Sequence, residues 1–112
     1  MKTIVTVAET TPDYTRKGEG DVIELTDGTL LLVYMEFRGD GSDFAPTRII
    51  SKNSADGGLT WEKHRRITET NEGDINFYSP NLLRAQDGGI LLVFMRKRYR
   101  PDGYDAVRVE IR

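Results

Sequence analysis

The sequence predicts an all-β fold made of two related antiparallel units. The first observation is a repeat at an offset of 60 residues, which aligns DGTLLLVYMEFR from Asp27 with DGGILLVFMRKR from Asp87. The second is the Asp-Gly turn that opens each copy, because Asp-Gly between apolar runs is a strong signal of a β-hairpin. The third is the continuous apolar run after each turn, which indicates strands covered on both faces, as where sheets stack face to face.

The strands follow from these signals in chain order. The first unit, residues 8–67, is expected to hold four strands, at 21–26, 29–37, 47–53 and 61–67. The second unit, residues 76–112, supplies three, at 76–84, 89–97 and 104–111. Lys2 to Val7 alternate in polarity and are predicted to form a further strand, which would complete the second unit of the same chain or of another chain. Tandem four-stranded antiparallel units are the construction of a β-propeller, so the whole chain, 1–112, is interpreted as two blades.

Composition and charge exclude several classes of function. With 112 residues, 38% hydrophobic and 30% charged, the chain is expected to be a single soluble domain. Its net charge of −2 argues against a nucleic-acid partner held by bulk electrostatics. No window is apolar enough to span a membrane, and the start MKTIVTVAET has no signal-peptide core, so no membrane partner is expected and the compartment is undetermined. Without cysteine and with His64 as the single histidine, no metal and no cofactor are expected.

The octapeptide SADGGLTW, residues 54–61, is the most specific motif in the chain. An Asp carboxylate can accept hydrogen bonds from turn amides, glycine permits positive φ, and a Trp ring packs between strands. The octapeptide matches in full the Asp-box, Ser-x-Asp-x-Gly-x-Thr-Trp, which in sialidases links the third and fourth strands of a blade and lies away from the substrate. Its structural residues are Ser54, Asp56, Gly58, Thr60 and Trp61.

The resemblance to bacterial sialidase-like proteins extends beyond this box. The stretch GEGDVIELTDGTLLLVYMEFRGDGSDFAPTRIISKNSADGGLTW resembles their first blade, and NFYSPNLLRAQDGGILLVFMRKR resembles their second. The resemblance implies a six-bladed sialidase-like β-propeller, of which this chain would supply the first two blades.

Sialidases hold a sialic acid carboxylate with three arginines and protonate the leaving group with an Asp on a loop. By resemblance, Arg16 is the candidate for the first arginine, although its neighbours differ from the family pattern. Arg38 is the candidate for the second, and Asp43 is the candidate general acid, with Asp40 as the alternative. A strand-end charge and an Asp-rich turn remain the structural interpretations of these residues. Asn76, Phe77 and Tyr78 fall where the second blade of the family helps to line the pocket, and Asn76 and Tyr78 are taken as substrate-binding candidates.

The blades that carry the remaining sialidase machinery have no counterpart in this sequence. We therefore expect a propeller fragment that associates with itself to complete a ring, a trimer being favoured, and that at most binds acidic sugars. Two stacked blades would leave apolar faces at both ends, which soluble monomers rarely tolerate. The alternative is the N-terminal part of an exo-sialidase-type glycoside hydrolase whose other catalytic residues lie outside the sequence.

Overall fold

All regular secondary structure in the described part of the chain is β. The structure, a computed structural model, describes residues 2–68, 72–100, 103–105 and 109–111. Within these ranges there are eight strands and no helix. The same ranges accordingly contain no helix that is long and apolar enough to cross a membrane. Every strand pairing is antiparallel, so the prediction of an all-β antiparallel fold is confirmed.

The first sheet has four strands in the order β1-β2-β3-β4. They are β1 Tyr14–Glu24, β2 Leu30–Arg38, β3 Thr47–Ser54 and β4 Arg65–Arg66. Two bounds differ from the predictions. β1 begins at Tyr14 instead of residue 21 because backbone pairing with β2 needs no apolar side chains, and two register shifts accommodate the polar half of the strand. The strand expected at 61–67 is reduced to two residues.

The second sheet is built around β6. Its strands are β5 Asp74–Arg84, β6 Ile90–Arg100, β7 Gly103–Asp105 and β8 Val109–Ile111. β5 pairs with one edge of β6, and both β7 and β8 pair with β6. The strand predicted at 104–111 thus corresponds to two short strands, with residues 106–108 outside the described residues.

Both copies of the repeat make the same turn. In the first, Leu25 N donates to Thr29 O at 2.8 Å and Gly28 has a φ of 86°. In the second, Ala85 N donates to Gly89 O at 2.8 Å and Gly88 has a φ of 88°. In each copy, the Asp carboxylate before the glycine accepts the amide two residues ahead at 2.9 Å. The hairpins predicted from Asp-Gly are therefore formed with the same hydrogen bonds.

The two sheets pack face to face around one apolar core. The cluster takes buried side chains from both sheets: Val33, Ile49, Phe77, Leu82, Leu92 and Phe94. Phe77 and Phe94 meet edge to face, with ring centroids 6.0 Å apart. The halves of the repeat are thus neighbouring layers, as the apolar runs of the sequence indicate.

Two polar contacts fix one sheet against the other. The Thr47 hydroxyl donates to Phe77 O and accepts from Phe77 N, both at 2.7 Å. The Asp21 carboxylate accepts the Leu82 amide at 2.8 Å, which joins β1 to β5. Because Thr47 and Phe77 are both buried, these hydrogen bonds are shielded from water.

The predicted strand at Lys2 to Val7 does not form in the single chain. The segment approaches the outer face of the first sheet, where Lys52 Nζ donates to Val7 O at 2.7 Å, and Ile4 is 91% exposed. A strand needs a free sheet edge with which to exchange backbone hydrogen bonds, whereas this segment contacts a face. Completion of the second sheet by this segment of its own chain is therefore not observed, and pairing with another chain stays a prediction.

Candidate functional site

The candidate site lies where the loop of residues 39–46 crosses one end of the two sheets. Positive φ at Gly39 and Gly41, 67° and 69°, lets the loop turn sharply after β2. A Cβ at Gly41 would lie 3.3 Å from the Arg16 Cβ, so the loop lies close against β1. Asp40 accepts the Ser42 amide at 3.0 Å and supports the turn. This path carries Asp43 towards the second sheet.

Arg16 joins β1 to this loop. Its Nη1 donates to Asp43 Oδ1 at 2.9 Å and to Gly41 O at 3.0 Å. Its guanidinium carbon lies 4.1 Å from the centroid of the Phe37 ring, which fixes the plane of the group. The side chain is 47% exposed, and both of these hydrogen bonds use Nη1. Arg16 thus offers solvent-facing donors for an anion.

Asn76 and Tyr78 on β5 hold the same loop from the second sheet. The Asn76 Nδ2 donates to the carbonyls of Asp43 and Ala45, both at 2.9 Å, and Asn76 is 2% exposed. The Tyr78 hydroxyl donates to Asp43 O at 2.8 Å. Four of the predicted site residues are therefore brought into one cluster: Arg16, Asp43, Asn76 and Tyr78.

Lys97 belongs to this cluster and was not predicted. Its Nζ donates to Asp43 O at 3.2 Å and lies 4.0 Å from the centroid of the Tyr78 ring. It also lies 4.8 Å from the centroid of the Phe44 ring. Lys97 is the repeat equivalent of Phe37, so the repeat could have placed it at this end. It also lies in the basic run RKRYR, residues 96–100, which could contact acidic glycans but is more typical of a solvated strand end.

The charges of the cluster favour an ionised Asp43 and a neutral Tyr78. The hydrogen bond from Arg16 holds the pKa of Asp43 below its ordinary value, so this carboxyl is ionised at neutral pH. A general acid must carry a proton, and its pKa is usually raised by its surroundings. The acid role of Asp43 therefore stays a prediction that would require Arg16 to move. Burial, followed by the nearby charge of Asp43, raises the pKa of Tyr78 to about 12.

Arg38 lies on the other face of β2. Successive side chains of a strand point to opposite faces, so Arg38 projects away from Phe37 and from the Arg16 cluster. It lines a cavity of about 100 Å³ together with Tyr14, Arg48 and Arg66. The structure therefore does not bring Arg38 to Arg16 and Asp43, and its predicted place among the substrate-binding residues has no geometric support in the single chain.

A buried carboxylate anchors the Arg38 face of the first sheet. Glu36 is 2% exposed, and its carboxylate accepts hydrogen bonds from Lys17 and from Arg48, the latter at 2.7 Å. Burial alone would raise the pKa of Glu36, but these two hydrogen bonds outweigh it and lower the pKa. Arg48 is thus occupied by Glu36 and stacks on Tyr14, 3.9 Å from the ring centroid. One buried carboxylate on β2 thus joins Lys17 of β1 to Arg48 of β3.

The SADGGLTW turn connects β3 to β4 and is held by its own side chains. Asp56 Oδ1 accepts from the Thr60 amide and from the Ser54 hydroxyl, both at 2.9 Å, and Trp61 Nε1 donates to Gly58 O at 2.9 Å. The hydrogen bond from the Thr60 hydroxyl is the main cause that lowers the pKa of Asp56 to about 2. These contacts support the structural role predicted for the octapeptide.

The turn and the candidate site lie at opposite ends of the first sheet. Ser54, where the turn starts, pairs with Leu30 at the beginning of β2, whereas Thr47 pairs with Phe37 near its end. A strand rises by about 3.3 Å per residue, so these pairs are separated by roughly 20 Å or more. The turn is therefore too far from the cluster to contact the same small ligand.

Neither a metal-binding group in the described part of the chain nor a match to a family model or a curated protein accompanies the cluster around Asp43. Among the described residues, no three or more His, Asp or Glu side chains are grouped so that they could hold a metal ion. No protein-family model matches the chain, and no curated protein matches it. The features of this chain that bear on function are therefore its fold and the cluster of Arg16 and Lys97 around Asp43.

Proposed function

We propose that this chain is a two-sheet unit of a sialidase-like β-propeller that binds the carboxylate of an acidic sugar through Arg16 and Lys97. Three features support the propeller part of the proposal: antiparallel sheets packed face to face, adjacent first strands β1 and β5, and the SADGGLTW turn at the far end of the first sheet. The resemblance to the first two blades of sialidase-like proteins supports it independently.

The observation that carries the sugar-binding part is the convergence of two cationic side chains, Arg16 and Lys97, on the loop at Asp43. Arg16 and Lys97 both contact Asp43, one at its carboxylate and the other at its carbonyl oxygen. Arg16 thus contacts the Asp43 carboxylate through Nη1, and its side chain, which is 47% exposed, is accessible to a second carboxylate. Arginine binds carboxylates through parallel N–H donors, which gives such a site both strength and orientation.

Binding without turnover is the expected behaviour of this chain. Hydrolysis of a glycoside needs a protonated acid at the leaving group and a second group that stabilises or attacks the sugar. The hydrogen bond from Arg16 lowers the pKa of Asp43 further below neutral pH, so this carboxyl holds no proton to donate. We therefore propose no catalytic step for the chain by itself.

Titration with N-acetylneuraminic acid, followed by NMR or calorimetry, tests the binding function. Loss of charge-assisted hydrogen bonds worth about 1.5–3 kcal/mol should weaken binding of the Arg16→Ala variant by about 10- to 100-fold. Arg65→Ala is the matched control, because Arg65 is an exposed arginine on β4 at the other side of the sheet. The methyl ester of the sugar, which lacks the charge, should bind weakly to both. Equal affinity of the Arg16→Ala and Arg65→Ala variants would refute the site.

The second candidate function is a contribution to a sialidase active site that other residues complete. The proximity of Arg16 and Asp43 is the observation behind it, and the completing residues would have to draw Arg16 away from Asp43 before this carboxyl could carry a proton. A fluorogenic sialoside distinguishes this function from binding alone. Turnover by the wild-type chain that disappears in Asp43→Ala would establish the second candidate, and absence of turnover would leave binding as the function of this chain.

A further inference from the structure

We propose that two copies of this chain dock head to tail. The outer face of the first sheet of one copy would cover the outer face of the second sheet of the other copy. This inference rests on the propeller part of the proposed function and names the partner and the contact. The contact would repeat, between chains, the one that the two sheets make within a chain.

The contact within the chain has two different sides. The first sheet contributes Ile23, Leu31 and Val33, and the second sheet contributes Leu82, Leu92 and Phe94. Val33 and Phe94 are 1% and 0% exposed, and Leu82 is 8% exposed, so the contact excludes water.

The repeat supplies each side of this contact a second time. Adding the offset of 60 residues to the first-sheet set gives Leu83, Leu91 and Val93. Subtracting it from the second-sheet set gives Val22, Leu32 and Tyr34. Successive side chains of a strand point to opposite faces. Leu83, Leu91 and Val93 therefore lie on the outer face of the second sheet. Val22, Leu32 and Tyr34 lie on the outer face of the first sheet.

The two extra sides are incompletely covered in the single chain. Leu83 is 53% exposed and Val22 is 52% exposed, whereas Leu82, the equivalent of Val22, is in the core. The pair Ile23 and Leu82 inside the chain thus has an equivalent pair, Leu83 and Val22, that only a second copy can bring together. The chain carries both halves of a contact that it already makes once.

The N-terminal segment covers part of the first-sheet side. Val7 and Ala8 line an apolar cavity of about 240 Å³ above Leu32 and Tyr34. A docked copy therefore takes the place of this segment over Leu32 and Tyr34 and reaches Val22 beside it. The displaced segment is then free to pair with an open sheet edge, as its alternating sequence predicts.

The geometry of the contact determines the kind of assembly. Because the two sides differ, the contact is heterologous, and successive copies extend a chain until the ends meet. Three copies would contribute six sheets, the number in the propeller that the sequence resembles. By resemblance to a six-bladed propeller, we expect the ring to close at three copies.

Two single substitutions test the contact, because each one blocks a different side of it. Leu83→Glu places a charge on the second-sheet side and Val22→Glu on the first-sheet side, and both residues are more than half exposed, so the fold should be kept. Light scattering coupled to size exclusion should show the wild-type chain as a trimer and each variant alone as a monomer. An equimolar mixture of the two variants should form a dimer and nothing larger, since each variant retains one working side. Leu59→Glu, a charge on a 59% exposed leucine in the SADGGLTW turn, is the control and should associate like the wild type.

Three results would overturn the inference. These are a monomeric wild-type chain at high concentration, a Val22→Glu variant that still dimerises by itself, and a mixture of variants that stays monomeric although circular dichroism shows both folded. Sugar binding by the wild-type chain is measured separately. If the wild-type chain binds the sugar and stays monomeric, the docking alone is wrong, and if it associates without binding the sugar, the sugar function alone is wrong.

Discussion

The replacement of Thr47 by Val should show how strongly the two sheets depend on each other. Valine keeps the branched shape of threonine and removes the hydroxyl that bonds both Phe77 N and Phe77 O at 2.7 Å. Thr47 and Phe77 are 6% and 1% exposed, so water cannot readily replace the lost partner. An unsatisfied buried polar group costs about 1–3 kcal/mol, and two such groups give an expected loss of about 2–6 kcal/mol in the free energy of unfolding.

Urea and thermal unfolding, followed by far-ultraviolet circular dichroism, measure this loss. In a domain of about this size, 1 kcal/mol corresponds to a change in Tm of roughly 4 °C or more, so Tm should fall by at least about 8 °C. Thr47→Ser is the matched control, because it keeps the hydroxyl and loses one methyl group, a change worth about 1 kcal/mol. If Thr47→Val proves as stable as Thr47→Ser, the hydrogen bonds between the sheets do not carry the stability assigned to them.

Two further predictions concern β1 and the SADGGLTW turn. A Cβ on Gly20 would lie 2.5 Å from the Val33 carbonyl oxygen, so Gly20→Ala should lower the free energy of unfolding by about 1–3 kcal/mol, whereas the Cβ of Gly89→Ala would approach only the end of a side chain. Equal losses in the two variants by urea unfolding would argue against the close approach of β1 to β2. Hydrogen bonds, mainly from Thr60, lower the pKa of Asp56 from 3.8 to about 2, so its contribution to stability is complete above pH 3.8 and is lost as the pH falls towards 2. In the Asp56→Asn variant, the urea midpoint of unfolding should depend less on pH across this interval than in the wild type. An unchanged pH dependence would show that the turn does not depend on this carboxylate.

The sequence predicts most of the strands because their signals are local. Asp27 and Asp87 open the same turn in both copies, and the apolar runs that follow become β2 and β6. The predicted strand bounds are wrong where backbone pairing leaves no pattern of apolar side chains in the sequence. β1 extends back to Tyr14 through polar residues, and Lys2 to Val7 has the alternation of a strand but finds no edge in its own chain. Pairing depends on which backbone lies alongside, and that is a property of the packed sheets.

The candidate site is likewise predicted only in part. Resemblance identifies Arg16, Asp43, Asn76 and Tyr78 as candidates, and the structure places them together through the loop after β2. The resemblance adds Arg38 to the same set, but the side-chain alternation of β2 directs Arg38 to the opposite face.

The sequence by itself determined the β class, the duplication and the turns, because each depends on residues that are neighbours along the chain. Only the tertiary structure decided that Lys97 joins Arg16 around Asp43 and that Arg38 does not. Those relations depend on the path of one loop across two packed sheets, and that path is set by contacts between residues far apart in the sequence, such as Asn76 with the carbonyls of Asp43 and Ala45.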